Sequence, residues 1–176
     1  MGLSNAPHDF CRRHGERICR FASLIREYVD WCRSRYHELA WFVDEALSHQ
    51  SLGRELETPP QAYGAPKGKA FLARRGDEIV GCGAYRRLSD EICEMKRLFV
   101  PDRGRGHGTG RTLCEAVVAD AGANGFRLMR LDTLNLMTEA IALYESIGFR
   151  RCAPYNEYPP KLMPYFVFLE LPIRPA

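Results

Sequence analysis

Apolar positions recur along this chain with two periods, and the change from one to the other divides it. From about residue 18, Phe21, Leu24, Ile25, Tyr28 and Cys32 fall at the spacing of one helix face. A second stripe, Leu39, Phe42, Val43, Ala46 and Leu47, predicts another helix. Thr58-Pro59-Pro60 must end any helix that reaches it, because proline lacks the N–H donor and biases its predecessor away from the α region. Residues 1–17 are polar, rich in His and Arg and without a clear period, and read as an irregular lead-in. After a Gly- and Pro-marked loop through Lys67 the runs become short. Ala70–Ala73 and Ile79–Tyr85 flank Arg75-Gly76-Asp77-Glu78, whose glycine suits a tight hairpin turn, and a third strand over Ile92–Val100 follows the Ser89-Asp90 turn. Leu113, Ala116, Val117 and Ala121 predict an amphipathic helix that stops near Gly122 and Gly125, and Leu128–Thr133 reads as a strand. Strand, loop, helix, strand is a βαβ crossover, so one pair of strands is expected to be parallel. A last helix carries Ala140, Leu143, Tyr144 and Ile147 on one face, and Tyr165–Leu171 makes the final strand. The pattern is α/β.

Composition narrows this without changing it. With 176 residues, 45% of them hydrophobic, the chain can bury one core and is short for two domains. The net charge of +3 is mild and the basic residues are interspersed with acids, so no nucleic-acid surface is demanded. No run approaches the ~18 apolar residues of a membrane span. Seven cysteines are an odd number without C-x-x-C spacing, and no secretory segment opens the chain, which predicts reduced thiols in a cytoplasm. His37, His49, Cys93 and Cys114 show neither metal-ligand spacing nor a nucleophile–base pairing, so no metal is expected.

The candidate chemistry lies in Arg105-Gly106-His107-Gly108-Thr109-Gly110-Arg111-Thr112-Leu113, between the strand ending Leu98-Phe99-Val100 and a helix. Glycines allow close approach and positive φ, so that backbone N–H groups at a helix N-terminus can converge on a phosphate, with Arg105 and Arg111 adding charge. The P-loop pattern fails because no lysine precedes Thr112, and the dinucleotide fingerprint fails because its third glycine would fall on Thr109 or Arg111. Arg105, Gly108 and Gly110 do satisfy Arg/Gln-x-x-Gly-x-Gly/Ala. Glu94–Pro101 runs into this loop, and Ala140, Leu143, Tyr144, Gly148 and Phe149 satisfy A-x-x-L-Y-x-x-x-G-F downstream. In that order and separation the three signals resemble the GNAT N-acetyltransferase superfamily over roughly residues 70–171, within one domain at 18–176.

The resemblance implies a mixed, mostly antiparallel sheet with splayed central parallel strands and helices on both faces. It implies acetyl-CoA as cosubstrate, with pyrophosphate on Arg105, Gly106, His107, Gly108, Thr109, Gly110 and Arg111 and the pantetheine arm along Leu98, Phe99 and Val100. The reaction implied is transfer of acetyl to a primary amine of a small molecule by direct attack; the alternatives are a non-catalytic acyl-CoA-binding or regulatory module that keeps the loop, or an N-acetyltransferase of peptides or proteins. Glu94 matches the family's base, its alternative being a strand glutamate that is solvated or paired with Lys96 or an arginine. Period 2 puts Glu94, Lys96, Leu98 and Val100 on one face. Tyr144 matches the tyrosine that protonates the departing thiolate. Where the family often has an asparagine before the signature this chain has Met137, and Asn135 is the near substitute. Trp31, Tyr36, Trp41 and Phe42, with Tyr155, Asn156 and Tyr158, fall where the family builds its acceptor pocket; of these Trp31, Trp41, Tyr155 and Asn156 are the substrate candidates. The lead-in falls where the family has its first strand. Edge strands and the C-terminal hairpin leave room for a homodimer.

Overall fold

The computed structural model describes residues 15–49, 52–53, 63–64 and 67–173. Most of the lead-in, including residues 1–14, and the Thr58-Pro59-Pro60 stop lie outside them. Helix α1 (Glu16–Arg35) starts slightly ahead of the expected residue 18 and buries the predicted stripe, Phe21, Leu24, Ile25 and Cys32, together with Ala22 and Val29. Helix α2 (Ala40–His49) follows and buries Phe42, Val43, Ala46 and Leu47. Strands β1 (Gly68–Arg75) and β2 (Glu78–Arg87) pair antiparallel around Gly76, whose φ of 59° supplies the turn predicted there. β3 (Ile92–Phe99) completes the meander, α3 (Thr109–Ala123) crosses over, and β4 (Leu128–Leu134) returns parallel to β3. Helix α4 (Thr138–Ile147), β5 (Arg150–Arg151) and β6 (Phe166–Pro172) finish the chain. The sheet order is β1-β2-β3-β4-β6-β5, antiparallel everywhere except β3·β4.

Two cores lie on the two faces. The α1 and α2 side chains pack with Ala70, Cys82, Ala84, Phe99, Leu134, Phe166 and Phe168, while Cys114, Val117, Ala121 and Tyr144 from α3 and α4 pack with Tyr85, Cys93, Met95, Met129, Leu131 and Leu169.

Two features of β3 shape the middle of the sheet. Tyr85↔Met95 and Ala84↔Lys96 are in register, but Cys82 then opposes Phe99, so β3 carries one extra residue. Arg97 absorbs it at φ 59°, a bulge with a non-glycine residue in the left-handed region. The bulge flips the alternation: Leu98 packs with Cys93 and Met95, and Phe99 moves to the α1 side. The expectation that Leu98 shares a face with Glu94 and Lys96 is thereby corrected. Second, β3 and β4 pair only through Ile92↔Leu128, Cys93↔Met129 and Glu94↔Arg130, then part.

Two other expectations are also corrected. The short β5 falls outside the predicted strands, since two exposed arginines carry no alternation. Nor are all thiols reduced: Cys19 is disulfide-bonded, whereas Cys32, Cys82, Cys93, Cys114 and Cys152 are free.

Candidate active site

Where β3 and β4 part, a cleft of about 560 Å³ opens between Leu98–Val100 and Leu131–Leu134. Beyond Glu94 the β3 backbone has no β4 partner, so an unpaired strand edge lies inside the molecule. The glycine loop also borders the cleft, through Gly104, Arg105, Gly106, Gly108, Thr109, Gly110 and Arg111. Gly108 is the residue before α3, at φ 75°, and no side chain caps this helix. Its first N–H groups therefore remain for an anion. The Thr109 hydroxyl ties the loop back by donating to the Gly104 carbonyl at 2.9 Å. Arg105 donates to the Val100 carbonyl at 3.0 Å, pairs with Asp102 at 2.9 Å and lies 4.7 Å over the ring of Trp31. Arg111 is held by Glu115 at 3.2 Å and by the Ser146 hydroxyl at 2.7 Å.

From α4, Tyr144 reaches the same cleft. It is buried, and its hydroxyl has no hydrogen-bond partner among the described residues. Burial first, then the proximity of Cys114 and Asp132, holds the phenol well above its ordinary pKa, so it stays a proton donor at working pH.

On the α1 side, the sheet carries a buried polar network. The Glu94 side chain is fully buried and accepts from Arg86 at 2.6 Å, Tyr155 at 3.1 Å and Asn156 at 2.9 Å. The Lys96 ammonium lies between two carboxylates, 3.6 Å from Glu94 and 3.2 Å from Asp132. Asp132 accepts further from Asn156 and from Tyr158, both at 2.7 Å. Burial alone would raise the Asp132 carboxyl pKa, but the Lys96 charge and these hydrogen bonds more than offset it and leave it below the ordinary value. Alternation explains the gathering: Arg86, Glu94 and Lys96 stand on one face of two registered strands, and the segment after β5 lays Tyr155, Asn156 and Tyr158 against them.

Comparison with known proteins decides the family. The Acetyltransferase (GNAT) domain family matches residues 66–151. An uncharacterised N-acetyltransferase of Schizosaccharomyces pombe is 35% identical over 129 residues, 71% of this chain and 76% of that protein. The chain belongs to the GNAT acetyltransferase family. An IAA acetyltransferase of Azospirillum brasilense is 34% identical over 64% of this chain and 73% of its own. In structure, a GNAT acetyltransferase of Elizabethkingia anophelis with acetyl-CoA bound aligns with TM-score 0.51 at 23% identity, over 60% of this chain and 76% of that one. The protein is thus an acyltransferase.

The fold of this acetyltransferase brings most of the expected residues together. Leu98, Phe99, Val100, Arg105, Gly106, Gly108, Thr109, Gly110, Arg111, Tyr144 and Trp31 border the cleft. His107 does not; its ring lies against the Arg105 carbonyl and Arg75. Asn135 also lies off the lining, and its side-chain amide points to the Pro164 carbonyl. Trp41 is 55% exposed, against Phe42, so it is not brought to the cleft. Glu94, Tyr155 and Asn156 meet one another just behind the lining. Asp132 and the structural part of Tyr158 were missed as site features. An aspartate at an inward position of a strand that continues as Leu-Asp-Thr-Leu was the available signal. Cys93 and Cys114 are pushed up to about 12 by burial, which keeps them from serving as thiolates. Among the described residues no His, Cys, Asp and Glu cluster could hold a metal ion, and no helix is long and apolar enough to cross a membrane.

Proposed function

We propose that this acetyltransferase moves the acetyl group of acetyl-CoA to a primary amine of a small molecule by direct attack, without an acetyl-enzyme intermediate. The observation that carries the reading is one continuous cleft that joins an uncapped helix N-terminus, an unpaired strand edge and a buried, unpartnered tyrosine hydroxyl. Each suits one part of the reaction. Loop N–H groups, Arg105 and Arg111 hold the pyrophosphate; the Leu98–Val100 edge receives the pantetheine amides as a further strand. A β3 N–H there steadies the oxyanion that forms on attack, an effect of about 3 kcal/mol in other enzymes. Tyr144 donates its proton to the sulfur as the C–S bond breaks. The cleft volume is in the small-molecule range and must hold the arm as well as the acceptor, which favours a compact amine over a folded protein substrate. Glu94, with its oxygens engaged and its side chain behind the lining, acts through the network rather than on the nitrogen. Action in the cytoplasm is part of the proposal, resting on five free thiols against the one disulfide-bonded Cys19, and so is a homodimer, checked by sedimentation.

The test is thiol release from acetyl-CoA against a panel of primary amines, amino acids and short peptides, with CoA affinity measured by calorimetry. Turnover with free amines is expected. Tight CoA binding with turnover only on peptide N-termini would overturn the small-molecule reading.

A further inference from the structure

Two carboxylates lie between the splayed strands, and only Asp132 borders the cleft. Its oxygens are not saturated. An ionised carboxylate offers about four lone-pair sites, and Asp132 uses them for Lys96 on Oδ1 and for Asn156 and Tyr158 on Oδ2. One site on Oδ1 remains. Around it, Lys96 and Glu94 face in from β3 with Arg86 behind them on β2, Tyr155 and Tyr158 from the segment after β5, Tyr144 from α4, and the Arg130–Glu170 pair from β4 and β6. The same cleft is walled by Tyr28, Trp31, Leu47, Phe99, Leu134 and Met137, an apolar surface suited to the body of an amine.

We infer that Asp132 is the carboxylate that meets the acceptor, an amine with an apolar body, and takes the first proton from its ammonium group. This rests on the amine-transfer reading above. Lys96 is a positioning residue with a second effect: its fixed positive charge beside the incoming ammonium favours loss of a proton from the acceptor. The ammonium passes one proton to Asp132, directly or through one water. Its lone pair forms the C–N bond at the thioester carbon, and the C–S bond breaks. Sulfur leaves with the Tyr144 proton, the second nitrogen proton restores Tyr144, and Asp132 returns its proton to solvent.

The test compares Asp132→Asn with Glu94→Gln on two acceptors of like shape, phenethylamine, which is protonated near neutrality, and phenylhydrazine, which is not. Asp132→Asn should lose on the order of 10²-fold in kcat/KM with phenethylamine and only a few-fold with phenylhydrazine, with CoA affinity unchanged. Glu94→Gln should lower both alike. Equal losses for Asp132→Asn, or the selective loss in Glu94→Gln, would overturn the inference. If Asp132→Asn does not fold, Tyr158→Phe removes one hydrogen bond from Asp132 and leaves the Glu94 partners in place; it should change kcat/KM with phenethylamine while leaving phenylhydrazine nearly unchanged, and an equal change on both acceptors counts against the inference. A wild-type enzyme that binds CoA yet acetylates no amine at all instead sinks the underlying reading, and the inference with it.

Discussion

Replacing Lys96 by Met removes the one ammonium between Glu94 and Asp132 and leaves a side chain of similar length. In the native protein the Lys96 side chain is 4% exposed, and its ammonium lies 3.2 Å from Asp132 and 3.6 Å from Glu94. Glu94 keeps Arg86 at 2.6 Å, so the orphaned charge is that of Asp132. Breaking a buried pair from one side costs about 3–5 kcal/mol; two remaining hydrogen bonds from Asn156 and Tyr158 put the expectation toward the lower figure. For a domain of this size that is a fall in Tm on the order of 10 °C. The pH dependence carries the sharper signature. In the wild type the Asp132 pKa is lowered from 3.8, so its contribution is present above that value and is lost as pH falls through the folded value. Without Lys96, burial raises the same pKa above its unfolded value, and the folded state then prefers the neutral acid. Stability of the variant should be greatest in acid and fall as pH rises through the raised value, so the deficit against wild type should widen from about pH 4 to neutrality. Urea unfolding of both proteins across that range measures it. A deficit below about 1 kcal/mol that does not change with pH would show that the ammonium is not desolvated between the carboxylates.

Gly108→Asp puts a side chain at φ 75° and a negative charge at the start of α3, and calorimetry should show CoA binding severely weakened in a protein that still folds. Tyr144→Phe keeps the packing against Phe149 and deletes a hydroxyl without a partner, so melting should change little while kcat falls ~10²-fold in steady-state assays. Trp31→Ala removes the ring beneath Arg105, an interaction of about 0.5–2 kcal/mol, and should weaken CoA binding by a few-fold to roughly 30-fold; unchanged affinity would mean that Arg105 is oriented by Val100 and Asp102 alone.

The loop was legible because its chemistry is written in backbone. Gly108 and Gly110 stand where they do for reasons of φ and approach, and those reasons show in the residue type itself. The helices were legible because α1 and α4 each bury one face. The bulge at Arg97 was not, since an arginine gives no sign that it will take positive φ, and with it went the assignment of faces beyond Lys96. The polar network was half legible. Glu94 and Lys96 are close in sequence, but Asp132, Asn156 and Tyr158 join them only through the parallel pairing and the return of the chain over the sheet, contacts that local periodicity does not record. Trp41 misled because an aromatic residue on a helix carries no mark of which way it faces.

The three residue pairs that join β3 to β4 also make the molecule two half-sheets fastened at a narrow neck. Each half is complete by itself: β1–β3 on one side, and β4, β6 and β5 on the other. Glu94 belongs to the last pair of the neck, and Lys96 and Asp132 reach across just past it, where the crack begins. Their charges work like the rivet at the end of a slit, resisting both further opening and closure. The width available to a thioester then depends on the ion cluster at the tip of the crack, and a substitution of Glu94, which stands behind the lining, would retune the aperture while every residue along its walls stayed the same.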